Sequence, residues 1–282
     1  MNSKDIIIMA ENKNNGAITV APQTPMQKFN NAIRGVNAQK YLETILGKEK
    51  KDAFVSSLVS VVASNTDLQA CEPMSLVYTA IKAAVLDLSI DPSIGEAAVI
   101  PYNKIASFQI MRNGWVELLM RTGKVMRIAN EPVHEGELIH KNKFTGDYLF
   151  NEDKKKSDKI IGYMAYVKLT TGLEKTVYWT VDEVKEHAKT YSKTYRSGRG
   201  IWFDNFDGMA LKTVLKHLIV KYCPKTKALQ QAIKDDQITV DEKNQASYED
   251  NPNNITLKPS DVVVMKKEEM RKEGEQGSID MP

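Results

Sequence analysis

Two stretches of the chain set positive charges among flat side chains, the combination that grips a single strand of nucleic acid. Lys and Arg neutralise phosphates, and aromatic faces stack against bases. Residues 101–127, PYNKIASFQIMRNGWVELLMRTGKVMR, place Lys104, Gln109, Arg112, Arg121, Lys124 and Arg127 among Tyr102, Phe108 and Trp115. Residues 185–218 set Lys185, Lys189, Lys193, Arg196 and Arg199 ahead of Trp202, Phe203 and Phe206, then add Lys212 and Lys216. Each cation alone also reads as part of a solvated face, and Phe108 and Trp115 alone read as core. Lys104, at a turn, favours binding. So does Arg112, because a helix start already offers unpaired N–H groups to a phosphate. Lys212 and Lys216 are i,i+4 neighbours, expected on the side of a helix opposite Leu211, Val214, Leu215 and Leu218. Like charges at that spacing cost roughly a few tenths of a kcal/mol, a small hint of an anionic ligand.

Charge along the chain agrees with a polyanion partner. The net charge of +3 over 282 residues conceals an asymmetry. Residues 99–130 carry 5 basic side chains against 1 acidic, and residues 185–227 carry 10 against 3. Residues 228–282 reverse the sign, with 7 basic against 12 acidic. That is a basic body with an acidic tail.

Other chemistries find less support. There is no GxxxxGK[ST], and SGRG (197–200) lacks the Lys-Ser/Thr that reaches phosphate and magnesium, so no nucleotide cofactor is expected. His134 and His140 would share a face of an unbroken strand, but Gly136 lies between them. No metal is expected. A magnesium nuclease would need clustered carboxylates, for which Asp204 and Asp207 are the candidates. Asp207 reads equally well as a helix-start carboxylate. A protector that coats single strands and blocks pairing is a third possibility, which composition does not separate from a protein that promotes pairing. Cys71 and Cys223 belong to no CxxC pair and fit a reducing cytosol. No run approaches the roughly 20 apolar residues of a membrane span.

The elements that must carry these residues follow from periodicity and punctuation. Residues 1–25 lack periodicity and read as a flexible arm. Apolar spacing predicts helices over Met26–Leu46, ending near Gly47, then over 49–63, then from Glu72-Pro73 through Leu88. AAVIPY (97–102) and IASFQI (105–110) predict strands about a tight turn at Asn103-Lys104. A helix over 111–123 closes at Gly123. Strands follow at KVMRIANEPV, DYLF, IIGYMAYVKLT and LEKTVYWT. Beyond Thr180 come a helix, a loop TYRSGRGIWFDN, and a strong helix over 206–222 stopped by Pro224. The expected fold is α+β: N-terminal helices, a small antiparallel β region and long helices in the C-terminal half form one compact DNA-binding core. That core is expected at residues 26–236, followed by a linker at 237–254 and an acidic tail or small partner-binding module at 255–282.

Three blocks carry a resemblance: residues 70–102 (ACEPMSLVYTAIKAAVLDLSIDPSIGEAAVIPY), 108–125 (FQIMRNGWVELLMRTGKV) and 202–218 (WFDNFDGMALKTVLKHL). In content and order they resemble the RecT family of phage and prophage single-strand annealing proteins, over roughly residues 28–230. The resemblance implies an ATP-independent recombinase, not an enzyme of covalent chemistry. It implies assembly into rings or helical filaments on single-stranded DNA and on the duplex annealing intermediate. It also implies a partner 5′–3′ exonuclease. The acidic tail after residue 240 falls outside the match, and a partner role there, with host single-strand-binding protein as one partner, is expected apart from the resemblance. Carried over, the family's DNA groove would include Lys104, Gln109, Arg112 and Trp115, joined by Phe206, Lys212 and Lys216. Arg127, Lys189, Arg196 and Arg199 are expected along the same path.

Overall fold

Capping residues and prolines set the helix starts. The computed structural model describes residues 23–198 and 200–236, of residue 193 only the backbone, and the backbone of 238–240 and 246–248. The first helix, α1 (Pro25–Ile33), begins with Pro at its first position and a capping box between Thr24 and Gln27. α2 (Val36–Ala63) spans both helices expected on either side of Gly47, which forms a kink with φ 74° inside one long element. The full break lies earlier, at Arg34-Gly35. A short α3 (Thr66–Gln69) leads to α4 (Pro73–Val85), whose N-cap Glu72 accepts from the Met74 and Ser75 N–H groups. Leu76, Val77, Ala80, Ile81 and Ala84 of α4 are buried, as their spacing predicts.

Strands β1 (Ala97–Tyr102) and β2 (Ile105–Ile110) form the expected hairpin. Its two turn residues, Asn103 and Lys104, both have positive φ (47° and 66°), the conformation of a type I′ turn. α5 (Arg112–Met120) follows, and Gly123 at φ 66° redirects the chain. β3 (Val125–His134), β6 (Ile160–Leu169) and β7 (Glu174–Thr180) make an antiparallel sheet in the order β3-β6-β7. Between β3 and β6, β4 (Leu138–Asn142) and β5 (Asp147–Phe150) form a separate hairpin. β4 has a polar, mostly exposed pattern that gives no strand signal in sequence.

A second capping box, Thr180 with Glu183, starts α6 (Val181–Tyr191). The expected loop holds two single-turn helices, α7 (Lys193–Arg196) and α8 (Ile201–Asp204). α9 (Phe206–Tyr222) coincides with its expected span. α10 (Lys227–Asp235) was not anticipated: KALQQAIKD is short and mostly polar, yet buries Leu229 and Ala232. Within the stretch 237–254, β8 (Ile238–Val240) and β9 (Ala246–Tyr248) extend the β1–β2 sheet in the order β1-β2-β8-β9. Residues 1–22 of the arm and the tail at 255–282 lie outside the described residues.

The architecture is α+β. α9 is its centre: it packs on β3, β6 and β7 on one side and against α5 on another. Val214, Leu215, Leu218 and Ile219 of α9 join Tyr163, Ala165 and Val167 of β6 in a continuous core with Phe108, Trp115 and Leu119. Both cysteines are free and buried, and burial pushes each thiol up to about 11, so neither supplies a thiolate at neutral pH.

Candidate nucleic-acid interface

The two basic segments, separated in sequence by more than half of the sheet, meet where α5 packs on α9. Gln109 on β2 accepts a hydrogen bond from Lys212 Nζ at 3.2 Å, with Met111 Sδ at 4.0 Å. One turn on, Lys216 Nζ lies 5.5 Å above the Trp115 ring and 2.5 Å from Asp236 Oδ2. The other oxygen of Asp236 accepts from the Ile110 N–H at 2.8 Å. Helix α9 thus brings together β2, α5 and the end of α10.

This placement corrects the expectation that Lys212 and Lys216 stand on a solvated face. Lys212 is 3% exposed, and 30% of the Lys216 side chain is exposed. The reason is that α9 has no wholly free side: the sheet covers one flank, and α5, β2 and α10 cover the other. A helical pattern read in isolation shows which residues are apolar, not how many neighbours surround the helix. Trp115 is fully buried, so its ring braces α5 and offers no face to a base.

Arg112 likewise has an internal task. Its Nε donates to Asn130 Oδ1 at 2.9 Å and its Nη2 to the Asn130 carbonyl at 2.8 Å, tying the start of α5 to β3. Asn130 is itself buried and donates to the Met164 carbonyl at 3.0 Å. Backbone runs close against this helix start, where a phosphate seat was expected. The Glu96 carbonyl accepts from the Met111 N–H at 2.8 Å. A Cβ on Gly114 would lie 2.1 Å from that same oxygen, so only glycine fits there.

The remaining predicted cations lie outward. Lys104 is exposed at the tip of the β1–β2 turn, and its carbonyl accepts from the Glu72 N–H at 2.7 Å. Arg127 is exposed on β3, and Lys189 is exposed on α6. Arg196 Nη1 donates to the Lys189 and Thr190 carbonyls at 3.0 and 2.9 Å, capping the C-terminus of α6. Arg199 lies outside the described residues. Phe206 is half-buried, its ring 5.7 Å from Trp202 and 6.2 Å from Tyr163. Nearby, Phe203 is 55% exposed and stacks on Tyr195 at 5.5 Å, an accessible aromatic face that sequence alone does not separate from its buried neighbour Trp202.

Sequence reasoning missed the buried Lys82 ammonium and the buried Asp235 altogether. Lys82 sits in the apolar run IKAAVL of α4, with its ammonium buried and without a hydrogen-bond partner. Burial lowers it to about 8, opposed by the field of Asp235 and then Asp236. Burial conversely raises Asp235, with Lys82 pulling it back. No periodicity signals such a lysine.

The carboxylates proposed for a nuclease are not gathered. Asp207 accepts from the Tyr163 hydroxyl, and burial together with that carboxylate holds the phenol well above its usual range. Asp204 is exposed at the end of α8. His134 ends β3 beside Glu137 at 3.3 Å, and His140 lies on β4, a different strand. Among the described residues no group of three or more His, Cys, Asp or Glu is positioned to hold a metal ion. Among them, too, no helix is long and apolar enough to cross a membrane.

A model of the RecT family matches residues 52–251, a span that takes in both basic segments, the α5–α9 junction and α10. The chain belongs to the RecT family. Membership places it among the phage-type single-strand annealing proteins of DNA recombination. A similar curated protein is the uncharacterized protein YqaK of Bacillus subtilis (strain 168). The two are 38% identical over 213 residues, which cover 74% of this chain and 73% of YqaK. In this RecT-family chain, the three blocks that carried the resemblance fold into α4 with β1, into α5, and into α9, the elements that enclose the junction.

Proposed function

We propose that this RecT-family protein binds single-stranded DNA and pairs it with a complementary strand without ATP and without making or breaking a covalent bond. Several copies, in a ring or helical filament, hold one strand extended in a continuous basic groove formed by the core at 26–236. A second strand then samples its pairing against the exposed base edges. Correct pairing is downhill, since stacking supplies on the order of 1.4 kcal/mol per base-pair step. The protein's work is to open hairpins in the strand and to offset phosphate repulsion between the two. The duplex intermediate stays bound until released.

The observation that supports this most is the meeting of the two basic segments at α9, where Lys212 reaches Gln109 and Lys216 covers Trp115. In the proposed groove Lys104, Arg127 and Lys189 supply the outer phosphate contacts, and Arg196 and Arg199 contact the same strand. Lys216 lies at its floor, and Lys212, Gln109, Arg112, Phe206 and Trp115 brace it. A 5′–3′ exonuclease would supply the single strands in the cytoplasm of a bacterial host. The tail at 255–282 would carry partner contacts, with host single-strand-binding protein a candidate.

Fluorescence anisotropy of a labelled single strand over a salt series tests the reading. Lys216→Ala is expected to weaken binding and reduce the log–log salt slope by about 0.7, the share of one phosphate contact on a single strand. An unchanged slope removes Lys216 from the groove. Magnesium-dependent shortening of the strand, abolished by Asp204→Asn or Asp207→Asn, would instead establish a nuclease.

A further inference from the structure

The end of α10 places two carboxylates against the lysines that the proposed groove needs. Asp236 Oδ2 is 2.5 Å from Lys216 Nζ, and that carboxylate is completely buried. Asp235 is buried beside it, accepting from Gln231 Nε2 at 2.6 Å. Both carboxylates act on Lys82, whose ammonium is sealed from solvent and has no hydrogen-bond partner of its own. Lys212 lies on the same face of α9 as Lys216, one turn earlier. Lys82 of α4 and Lys216 of α9 therefore share one region with two carboxylates.

Such an arrangement is poorly balanced as a purely structural element. A buried ammonium without a hydrogen bond is costly, and a buried ion pair contributes little to stability beyond what apolar packing in its place would give. Evolution of a stable core alone would favour methionine or leucine at Lys82, among Ile81, Ala83 and Ala84. What a buried ammonium without a hydrogen bond, beside an ion pair, does provide is affinity for an added anion. A phosphodiester carries the same single charge as a carboxylate and offers the same paired oxygens to Lys216.

We propose that Asp235 and Asp236 stand in for strand phosphates, and that a bound single strand displaces the end of α10 and takes over Lys216 and Lys82. This rests on the groove described above and adds a device to it. Without DNA the carboxylates neutralise the cations and hold α10 against β2 through the Ile110 N–H. With DNA the phosphates replace them, and the freed last turn of α10 repels the strand's charge and swings outward. Weak or short strands fail to compete with the internal carboxylates, whereas a long strand bound by several subunits at once succeeds. Lys82, held in reserve, becomes an additional phosphate contact.

The test uses the full-length chain and an oligothymidine strand. Hydrogen exchange measured with and without the strand is expected to speed up at the amides of 232–236 while the β1–β2 turn becomes protected. Unchanged or slower exchange at 232–236 overturns the proposal. Asp236→Asn keeps an acceptor for the Ile110 N–H but removes the charge. It is expected to bind the strand about fivefold more tightly, a factor that corresponds to about 1 kcal/mol. A folded Asp236→Asn protein with unchanged or weaker binding overturns the exchange. Lys216→Ala separates the two levels of the argument. If it weakens binding while Asp236→Asn fails to strengthen it, the groove stands and only the exchange is lost. If Lys216→Ala leaves affinity and salt slope as they were, the groove reading fails as well.

Discussion

The cations of the outer rim and those of the α5–α9 junction come from the same two sequence segments, yet the fold uses them in opposite ways. Lys104, Arg127 and Lys189 are exposed. Lys212 and Lys216, with Arg112, are committed to Gln109, Asp236 and Asn130. The rim has charge that a strand reaches immediately, with little structural consequence. The junction has charge that also holds α5, α9 and α10 together, so its energetics and its binding are coupled. A lysine in a basic stretch is thus two different objects, according to whether a partner residue already occupies it.

Four tests would break or sharpen that contrast. The largest effect is expected from Trp115→Ala, which empties the fully buried centre of the junction. Deleting a buried aromatic costs about 3–5 kcal/mol, to be read from denaturant unfolding. A loss below about 1 kcal/mol would mean that the junction is not braced by this ring. Next is Arg112→Ala, which strands the buried Asn130 acceptors at a cost of about 1–3 kcal/mol. Its salt slope for single-strand binding is expected to stay near that of the wild type, because the guanidinium is occupied by Asn130. A fall of about 0.7 would return Arg112 to the phosphates.

The rim should behave inversely. Lys104→Ala and Arg127→Ala are each expected to leave stability within about 0.5 kcal/mol. Each should lower the magnitude of the salt slope by about 0.7. Loss of stability without a change of slope would erase the distinction between rim and junction.

The smallest effect is a pH dependence on the α6–α9 side. The Trp179 ring lies between those of His187 and His217, tilted to both, at 5.0 and 4.9 Å. Burial lowers His187 from 6.5 to about 4, helped by His217 and Lys216. The unfolded chain therefore takes up the proton first as pH falls. The stabilising contribution is complete above about 6.5 and is lost progressively towards pH 4. The thermal midpoint should decline across that window, and less so in His187→Gln. An identical decline in the variant would assign the loss to other groups.

How much of this was legible in the sequence depends on the range of the interaction. Local devices were readable: Pro73 starts α4, Asn103-Lys104 turns the hairpin, and Phe206–Tyr222 coincides with its predicted span. The kink at Gly47 was readable as the boundary between two helical stretches, though not the full break at Arg34-Gly35 inside the first of them. The basic segments and their aromatics were readable as a set. What was not readable is pairing at a distance. Gln109 meets Lys212, and Asp236 meets both Lys216 and Ile110, across separations that no periodicity records. α10 was missed although Leu229, Ala232 and Ile233 stand at helical spacing, because the pattern is only nine residues long, and with it went the carboxylates that decide the state of the lysines. Lys82 was hidden for the converse reason, as one charged residue in an apolar run.

The most direct test of the central claim is the pairing rate of two complementary oligonucleotides carrying a fluorescence-transfer pair, measured with the protein and without ATP. The account predicts pairing much faster than in the protein-free mixture. Tight binding of each strand accompanied by slower pairing would contradict it and describe a protein that shields single strands.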